Sequence, residues 1–232
     1  MWDRIRFVYC DLDDTLLDHS GAERRALREV QQAYPELARL RGGYRLYRRI
    51  NQMLWDAYGR GEIGREALRK LRFALWLRLL GGDPGRWAEV EAAYLNRYAA
   101  HWRWLPGARR AWLSLGRRWP LGLLSNGLLE IQRAKLARFP ELQQARVAIL
   151  AEEVGLRKPD PAIFELALER AGLRAEEVLV IGDSYETDIA PARALGMRTL
   201  WIHPDHPVSL PADAIAPSLF AWTRTLQKEH VL

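Results

Sequence analysis

The chain has 232 residues, of which 49% are hydrophobic and 28% charged, and its formal net charge is +6. This balance is typical of a globular protein, and no apolar run approaches the roughly 18 residues of a membrane-spanning helix. The single cysteine, Cys10, permits no internal disulfide, and the N-terminus begins with a strand pattern rather than a signal peptide. The sequence therefore predicts a cytoplasmic protein without a membrane partner.

Positive charge is concentrated in one part of the chain. Between Ala22 and Arg118 there are 21 basic and 9 acidic residues, a surplus of +12, and almost all the basic residues are arginines. Such arginines either cover helix surfaces or attract an anionic substrate. The candidates for attracting an anion are Arg45, Arg48, Arg49, Arg65, Arg69 and Arg72. No nucleic-acid recognition motif accompanies the sequence pI of about 9.7, so no nucleic-acid partner is predicted.

The first predicted strand leads into an acidic stretch. Residues 5–10 form a nearly continuous apolar run, which predicts a strand buried on both faces of a parallel sheet. Asp11, Asp13 and Asp14 follow at once, and Asp11 and Asp13 point to the same face if the strand geometry continues. Carboxylates this close suggest either a divalent metal site or a nucleophile beside a general acid. The alternative is an acidic turn that caps the next element.

The segment 18–104 shows only helical patterns. Helices are predicted at 22–33, 41–58, 65–80 and 85–101, with Leu68, Leu71, Leu75 and Leu79 forming an apolar stripe on the third. Trp76 and other tryptophans at helical spacing are expected to pack inside this segment. The sequence thus predicts an all-helical module of about eighty residues.

Helices and short strands alternate after residue 105. Helices are predicted at about 107–118, 128–138, 161–171 and 187–195, and strands at 121–124, 147–150, 178–181 and 199–202. This alternation predicts right-handed crossovers and a parallel sheet. The predicted fold is α/β, a Rossmann-like core of residues 1–17 and 105–232 with the helical module 18–104 inserted after the first strand. The stretch 204–217 is predicted as a surface loop before a last helix at 218–229.

Polar residues follow each of the first four strands. Ser125, Asn126 and Gly127 follow the second strand, Lys158 comes in the loop after the third, and Asp183 and Asp188 follow the fourth. Each has an ordinary structural explanation, such as a helix N-cap or a surface charge. Because ligands bind beyond the carboxyl ends of parallel strands, their joint occurrence favours a functional site.

These motifs resemble the four motifs of the haloacid dehalogenase-like hydrolase superfamily. They are Asp11-x-Asp13-x-Thr15, Ser125-Asn126-Gly127, Lys158-Pro159 and Gly182-Asp183-x₄-Asp188, in that order. The helical insertion resembles the cap of the subgroup that includes phosphoglycolate phosphatases and pyrimidine nucleotidases. The resemblance covers essentially the whole chain.

The resemblance implies a role for each of these residues. Asp11 is the nucleophile that forms an aspartyl-phosphate, and Asp13 is the general acid and base. Lys158 neutralises charge between Asp11 and the phosphoryl group, and Ser125 donates its hydroxyl to that group. The remaining implied substrate-binding residues are Thr15, Asn126 and Gly127. The implied Mg²⁺ ligands are Asp11, the backbone carbonyl of Asp13, Asp183 and Asp188.

The resemblance also separates the activities found on this fold. Dehalogenating members lack an acid at the position of Asp13, because a halide leaves without a proton, and nothing marks the inserted module for phosphomutase chemistry. The sequence therefore favours a Mg²⁺-dependent phosphatase acting on a small phosphorylated substrate such as a nucleotide, a sugar phosphate or phosphoglycolate. It is also compatible with a phosphorylatable receiver domain or with an inert binding protein of the same fold. The sequence does not indicate an oligomeric state.

Overall fold

The computed structural model describes residues 2–34, 37, 42–203 and 210–229. The chain divides into two compact units. One unit combines the residues up to Asp18 with those from Trp104 onward, and the other is His19–Arg103. Within the described residues, no helix combines the length and apolarity that a membrane crossing requires.

The first unit is built on a six-stranded sheet. The strands are β1 Phe7–Cys10, β2 Leu121–Ser125, β3 Ala145–Leu150, β4 Val178–Gly182, β5 Arg198–Ile202 and β6 Ala214–Ala216. Their order is β3-β2-β1-β4-β5-β6, and every neighbouring pair is parallel. This arrangement confirms the predicted Rossmann-like α/β fold. The strand order reverses beside β1, where ligands of such sheets usually bind.

β1 is buried on both faces, as its apolar run predicts. Val8 and Cys10 pack into one apolar cluster, and Phe7 and Tyr9 pack into the cluster on the opposite face. Cys10 is completely buried, and that burial raises the pKa of its thiol well above the usual range. The residue is therefore a small core hydrophobe. A strand held this firmly fixes the position of Asp11, the next residue.

The second unit is helical. Its helices are α1 His19–Ala33, α2 Gly43–Gly59, α3 Arg65–Leu79 and α4 Trp87–Ala100, with a 3₁₀ turn at Pro84–Arg86. Trp76 is fully buried and donates its indole N–H to the carbonyl of Gly43 at 2.8 Å. The leucine stripe predicted on α3 is only partly correct. Leu68 is buried, but Leu79 is 61% exposed, while Phe73 and Leu77 are buried. The buried face of α3 is therefore rotated from the predicted one.

Two arginines considered as anion-attracting residues are engaged inside the helical unit. Arg69 donates to both carboxylate oxygens of Glu91, at 3.0 and 2.8 Å. Arg72 is 6% exposed, and its Nη2 lies 3.6 Å from Glu91 Oε1. Both guanidinium groups thus contact the same buried carboxylate, but only Arg72 is buried, and the Arg69 side chain remains 39% exposed. Arg45, Arg48, Arg49 and Arg65 are exposed.

The remaining helices cover the sheet of the first unit. They are α5 Ala108–Arg118, α6 Leu129–Arg138, α7 Ala151–Val154, α8 Pro161–Ala171, α9 Ala190–Ala194 and α10 Leu219–Lys228. A π-helical turn, Tyr185–Ile189, precedes α9, and 3₁₀ turns lie at Trp2–Arg4, Pro140–Gln144 and Ala175–Glu177. Asp160 begins α8 by accepting the N–H of Ala162, with a proline at the first helical position.

The loop predicted at 204–217 is only partly correct. Residues 214–216 form β6, which pairs with β5. A run of three apolar residues is too short to show a strand pattern, and only pairing with β5 makes it a strand. Residues 204–209 of this stretch and residue 41 of the second predicted helix lie outside the described part of the chain.

We expect Glu91→Gln to destabilise the helical unit. Replacing the carboxylate removes one of the two acidic groups, Glu91 and Glu23, whose charges act on the buried guanidinium of Arg72. Breaking a buried ion pair costs up to about 3–5 kcal/mol. The matched control is Glu62→Gln, which removes an exposed pair with Arg60 and should not change the unfolding midpoint. Urea unfolding monitored by circular dichroism measures both. Equal midpoints for the two variants would show that the buried pair contributes nothing.

Candidate active site

The acidic turn after β1 separates its first two carboxylates. The N–H of Asp11 still donates to the carbonyl of Ile181 in β4, at 2.8 Å. The chain then turns, with Asp14 at a positive φ of 58° and the N–H of Leu17 bonded to the carbonyl of Leu12. Strand geometry therefore does not continue to Asp13. The condition on which Asp11 and Asp13 would share a face is therefore not met, and the two carboxylates contact different partners.

Lys158 lies at the centre of the carboxylate cluster. Its Nζ is 2.7 Å from Asp11 Oδ1 and 2.5 Å from Asp188 Oδ1, and the residue is only 4% exposed. The side chain of Asn126 holds the backbone of Lys158 from both sides. It donates to the Lys158 carbonyl at 2.7 Å and accepts the Lys158 N–H at 2.9 Å. The Lys158-Pro159 peptide bond is cis.

Asp183 follows β4 directly and is held at both its side chain and its backbone. The hydroxyl of Thr15 donates to Asp183 Oδ1 at 3.3 Å. The indole N–H of Trp201, in β5, donates to the Asp183 carbonyl at 2.9 Å. Thr15 is 1% exposed, and its observed partner is this carboxylate. Its predicted contact with substrate stays a prediction.

Asp188 reaches the same place from the π-helical turn. The N–H of Ser184 donates to Asp188 Oδ2 at 3.2 Å, while Lys158 holds the other oxygen. A side chain at residue 182 would collide with the Asp188 carboxylate, so only glycine fits there. The glycine of the Gly182-Asp183 motif is therefore required by the approach of Asp188.

Three carboxylates converge closely enough to share a cation. Ligand oxygens of Asp11, Asp183 and Asp188 lie within 4.8 Å of one another. The ammonium of Lys158 compensates one of these three negative charges, which leaves an excess of two. An all-oxygen donor set with this excess suits a hard divalent ion such as Mg²⁺. The residues present therefore fit the metal that the resemblance implies.

The pKa values of the cluster reflect crowding and burial. Burial raises the pKa of Asp11 to about 7, with Lys158 opposing the shift and Asp188 and Asp13 adding to it. Burial likewise raises the pKa of Asp183 to about 8, assisted by the charges of Asp11 and Asp188. Burial disfavours the charged form of Lys158, but Asp11 and Asp188 outweigh it and raise the Lys158 pKa. A bound cation would relieve this repulsion between carboxylates.

Asp13 has its own partners, two residues of α6 that the sequence motifs do not predict. Lys135 Nζ lies 2.5 Å from Asp13 Oδ1, and Gln132 Nε2 donates to Asp13 Oδ2 at 2.7 Å. Both side chains are almost fully buried, at 1% and 0% exposure. Their three-residue spacing places them on one face of α6. Two polar residues spaced three apart in the helix that follows Ser125 are the sequence feature that could have predicted these contacts.

Ser125 ends β2 beside the same glutamine. Gln132 Nε2 also donates to Ser125 Oγ, at 3.0 Å, and the serine is 1% exposed. A side chain at residue 127 would overlap the amide of Gln132, which explains the glycine of the Ser125-Asn126-Gly127 motif. Because the serine oxygen accepts this hydrogen bond, its own proton can be directed at another acceptor.

The structure thus brings the predicted residues to one edge of the sheet. Asp11, Lys158, Asp183 and Asp188 form one contiguous cluster, and Asp13 and Ser125 are linked through Gln132. The side chain of Asn126 orients Lys158, and the predicted contact of Asn126 with substrate stays a prediction. Fold and site together define an α/β enzyme with an acidic centre at the carboxyl edge of its sheet.

Comparison with known proteins places the chain in a family. The model of the haloacid dehalogenase-like hydrolases matches residues 5–196. The pyrimidine 5'-nucleotidase YjjG of Escherichia coli is 30% identical over 226 residues, which cover 96% of this chain and 93% of YjjG. The chain belongs to the haloacid dehalogenase-like hydrolases, in the subgroup with a helical cap.

Two solved structures resemble the whole chain. The hydrolase YfnB of Bacillus subtilis, solved with bound magnesium, has a TM-score of 0.81 at 28% identity and covers 97% of this chain and 99% of its own. A 2-haloacid dehalogenase of Pseudomonas syringae has a TM-score of 0.64 at 28% identity, with the same coverage. The likeness therefore extends to an enzyme named as a dehalogenase, whereas YjjG is named as a nucleotidase.

The raised carboxylate pKa values predict how the stability of the metal-free protein depends on pH. In the folded protein the pKa values of Asp11 and Asp183 are about 7 and about 8, above the ordinary value of 3.8. The folded state therefore binds protons more tightly than the unfolded chain. This tighter proton binding stabilises the folded state fully at pH values below the pKa of the unfolded chain. The stabilisation is lost as the pH rises through the pKa values of the folded protein. We therefore expect the Tm in EDTA to fall between about pH 5 and pH 8.

Asp183→Asn isolates this effect, because the variant lacks one of the two raised carboxylates. Its Tm should fall less steeply over the same pH range than that of the wild type. Scanning calorimetry in EDTA measures both slopes. Parallel slopes would show that burial of Asp183 does not raise its pKa.

Proposed function

We propose that this hydrolase is a Mg²⁺-dependent phosphatase that cleaves a small phosphate monoester through an aspartyl-phosphate on Asp11. The observation that carries the proposal is that carboxylate oxygens of Asp11, Asp183 and Asp188 lie within 4.8 Å of one another. Lys158 contacts two of these carboxylates, and a further carboxylate, Asp13, follows in the same motif as Asp11. The similarity to YjjG, named as a nucleotidase, and to YfnB, solved with magnesium, supports it.

Asp11 is the proposed nucleophile. Its Oδ1 is held by Lys158 at 2.7 Å, so the side chain is fixed at the carboxyl end of β1 and its other oxygen can attack phosphorus. The bond from phosphorus to the ester oxygen breaks as the bond to Asp11 forms. A water molecule then cleaves the aspartyl-phosphate and regenerates the carboxylate. Lys158 offsets negative charge on both reacting groups in each step.

Asp11, Asp183, Asp188 and the backbone carbonyl of Asp13 would hold Mg²⁺. The ion would supply electrostatic screening, which allows a carboxylate to approach a phosphate dianion. Thr15 and Trp201 keep Asp183 in place through its side chain and its backbone. These supporting contacts define the position of a ligand before any ion binds.

Asp13 is the proposed acid and base. It would protonate the departing ester oxygen and later take a proton from the attacking water. Ser125 would donate its hydroxyl to a phosphoryl oxygen, and backbone N–H groups of Asn126 and Gly127 would add further donors. The hydrogen bond from Gln132 to Ser125 Oγ agrees with this direction of donation.

The helical unit is the proposed cap, with boundaries near 18 and 104, and it would select the substrate. A nucleotide, a sugar phosphate or a phosphoglycolate-like acid all carry the phosphate monoester that the core would process. The exposed arginines of α2, Arg45, Arg48 and Arg49, are the candidates for attracting such anions.

Haloacid dehalogenation is the second candidate, because the Pseudomonas syringae dehalogenase is similar over the whole chain. Displacement of a halide by a carboxylate requires no proton for the leaving group. The carboxylate of Asp13 would have no task in that reaction, and this observation favours phosphate-ester hydrolysis. Assays with 2-chloropropionate and p-nitrophenyl phosphate distinguish the two activities directly.

We expect p-nitrophenyl phosphate hydrolysis with Mg²⁺ and almost none in excess EDTA. Asp11→Asn should fold normally and lose at least about 10³-fold in kcat, because an amide is a poor nucleophile. The matched control is Asp14→Asn, which removes the neighbouring carboxylate at a position whose positive φ suits asparagine. It should retain most of the activity. Rapid turnover by Asp11→Asn would refute the covalent mechanism.

Asp13→Asn should affect substrates according to their leaving groups. An aryl phosphate with an acidic phenol departs without protonation, whereas an alkyl phosphate requires a proton from Asp13. We expect kcat/KM to fall about 10²–10⁴-fold for the alkyl ester and much less for p-nitrophenyl phosphate. Equal losses for both esters would indicate that Asp13 acts only through its backbone carbonyl.

A further inference from the structure

We infer that Lys135 and Gln132 are positioning residues for Asp13, an inference that rests on the proposed phosphatase function. They bind both oxygens of its carboxylate and keep it beside Ser125, apart from the cluster of Asp11, Asp183 and Asp188. Asp13 is thereby kept as the proton-transferring group and is prevented from becoming a fourth carboxylate ligand of the cation.

The geometry accounts for both oxygens of Asp13. Lys135 Nζ contacts Oδ1 at 2.5 Å, and Gln132 Nε2 donates to Oδ2 at 2.7 Å. The Asp13 side chain is 24% exposed, so it can reach a bound ester, while its two partners are almost completely buried. Two donors from one rigid helix face fix the rotamer more firmly than either donor alone.

Gln132 joins the acid to the hydroxyl that would bind the phosphoryl group. Its amide nitrogen has two hydrogens, and it contacts Asp13 Oδ2 at 2.7 Å and Ser125 Oγ at 3.0 Å. The absence of a side chain at Gly127 leaves the space that this amide occupies. The distance between proton donor and phosphoryl site is therefore set by one side chain.

Stability alone does not explain these two residues. Gln132 Oε1 is buried and has no hydrogen-bond partner among the described residues, a deficit that destabilises the fold. A lysine that is 1% exposed also loses the hydration of its ammonium group. Apolar residues of the same length would fill this face of α6 without either cost. The two polar side chains therefore require a reason in the site they contact.

The reason lies in competition between two roles of a carboxylate. Asp13 is two residues from Asp11, and a carboxylate free to rotate near a divalent cation would be drawn to it. Lys135 supplies a competing positive charge on the other side of Asp13. The chain thus provides one lysine for the nucleophile and another for the acid, Lys158 and Lys135.

The test compares two substrates in Lys135→Met and Gln132→Met. For each variant we expect kcat/KM for an alkyl phosphate to fall about 10²-fold and for p-nitrophenyl phosphate less than about 10-fold, the pattern of Asp13→Asn. Added to Asp13→Asn, either substitution should lower alkyl-phosphate turnover by less than about 3-fold, because the positioned group is already absent. Lys135→Arg, which keeps a cationic donor, should recover part of the alkyl-phosphate activity lost in Lys135→Met.

Arg133→Met is the matched control, because it removes an exposed cation of the same helix that pairs with Glu153. This variant should have the wild-type kcat/KM for both substrates. Mg²⁺ affinity measured by calorimetry should rise in Lys135→Met and Gln132→Met, because Asp13 is then free to bind the cation, and should stay at the wild-type value in Arg133→Met. Equal losses on both substrates, or losses that multiply with that of Asp13→Asn, overturn the inference. If Lys135→Met does not fold, the same comparison of the two substrates in Gln132→Met tests the inference. A wild type inactive on every phosphate ester refutes the proposed function instead.

Discussion

The ammonium of Lys158 is the interaction on which the rest of the site depends. It lies between Asp11 and Asp188, residues 147 and 30 positions away in the chain, and all three are buried. Buried carboxylates without a counter-charge would oppose folding of the sheet edge where they meet. Lys158 reduces that repulsion but leaves enough negative charge for a divalent cation. The same interaction therefore permits the carboxylates to be buried together and leaves a site that suits a divalent cation.

This arrangement also constrains side chains that have no proposed contact with a substrate. The two hydrogen bonds between the Asn126 side chain and the Lys158 backbone fix the position of Lys158. Gly182 leaves space for the Asp188 carboxylate. Trp201 holds the backbone of Asp183 from the neighbouring strand. These residues decide where charges lie rather than what reacts. Their identity follows from the need to bring several carboxylates to one place without letting them rotate.

The sequence alone predicts the sheet and the principal cluster well, because each depends on a strong local signal. β1 is a continuous apolar run, and the acidic or polar residues stand directly at strand ends. Lys135 and Gln132 were missed because a polar residue inside a helix usually faces solvent, and only the fold shows that theirs is a buried face. The sequence does not predict the strand at 214–216, because three residues are too few to show an alternating apolar pattern. Pairing with β5, which makes them a strand, is a tertiary effect.

The two carboxylates of the first motif illustrate how environment separates identical groups. Asp11 remains in register with β4 and is buried against Lys158, and burial raises its pKa to about 7. The turn that follows carries Asp13 to another lysine and a glutamine on α6. In the proposed mechanism the nucleophile must be fixed against the reacting atom, whereas the acid must reach the leaving group. The turn at Asp14, closed by the hydrogen bond from Leu17 to Leu12, is what makes both positions possible within three residues of chain.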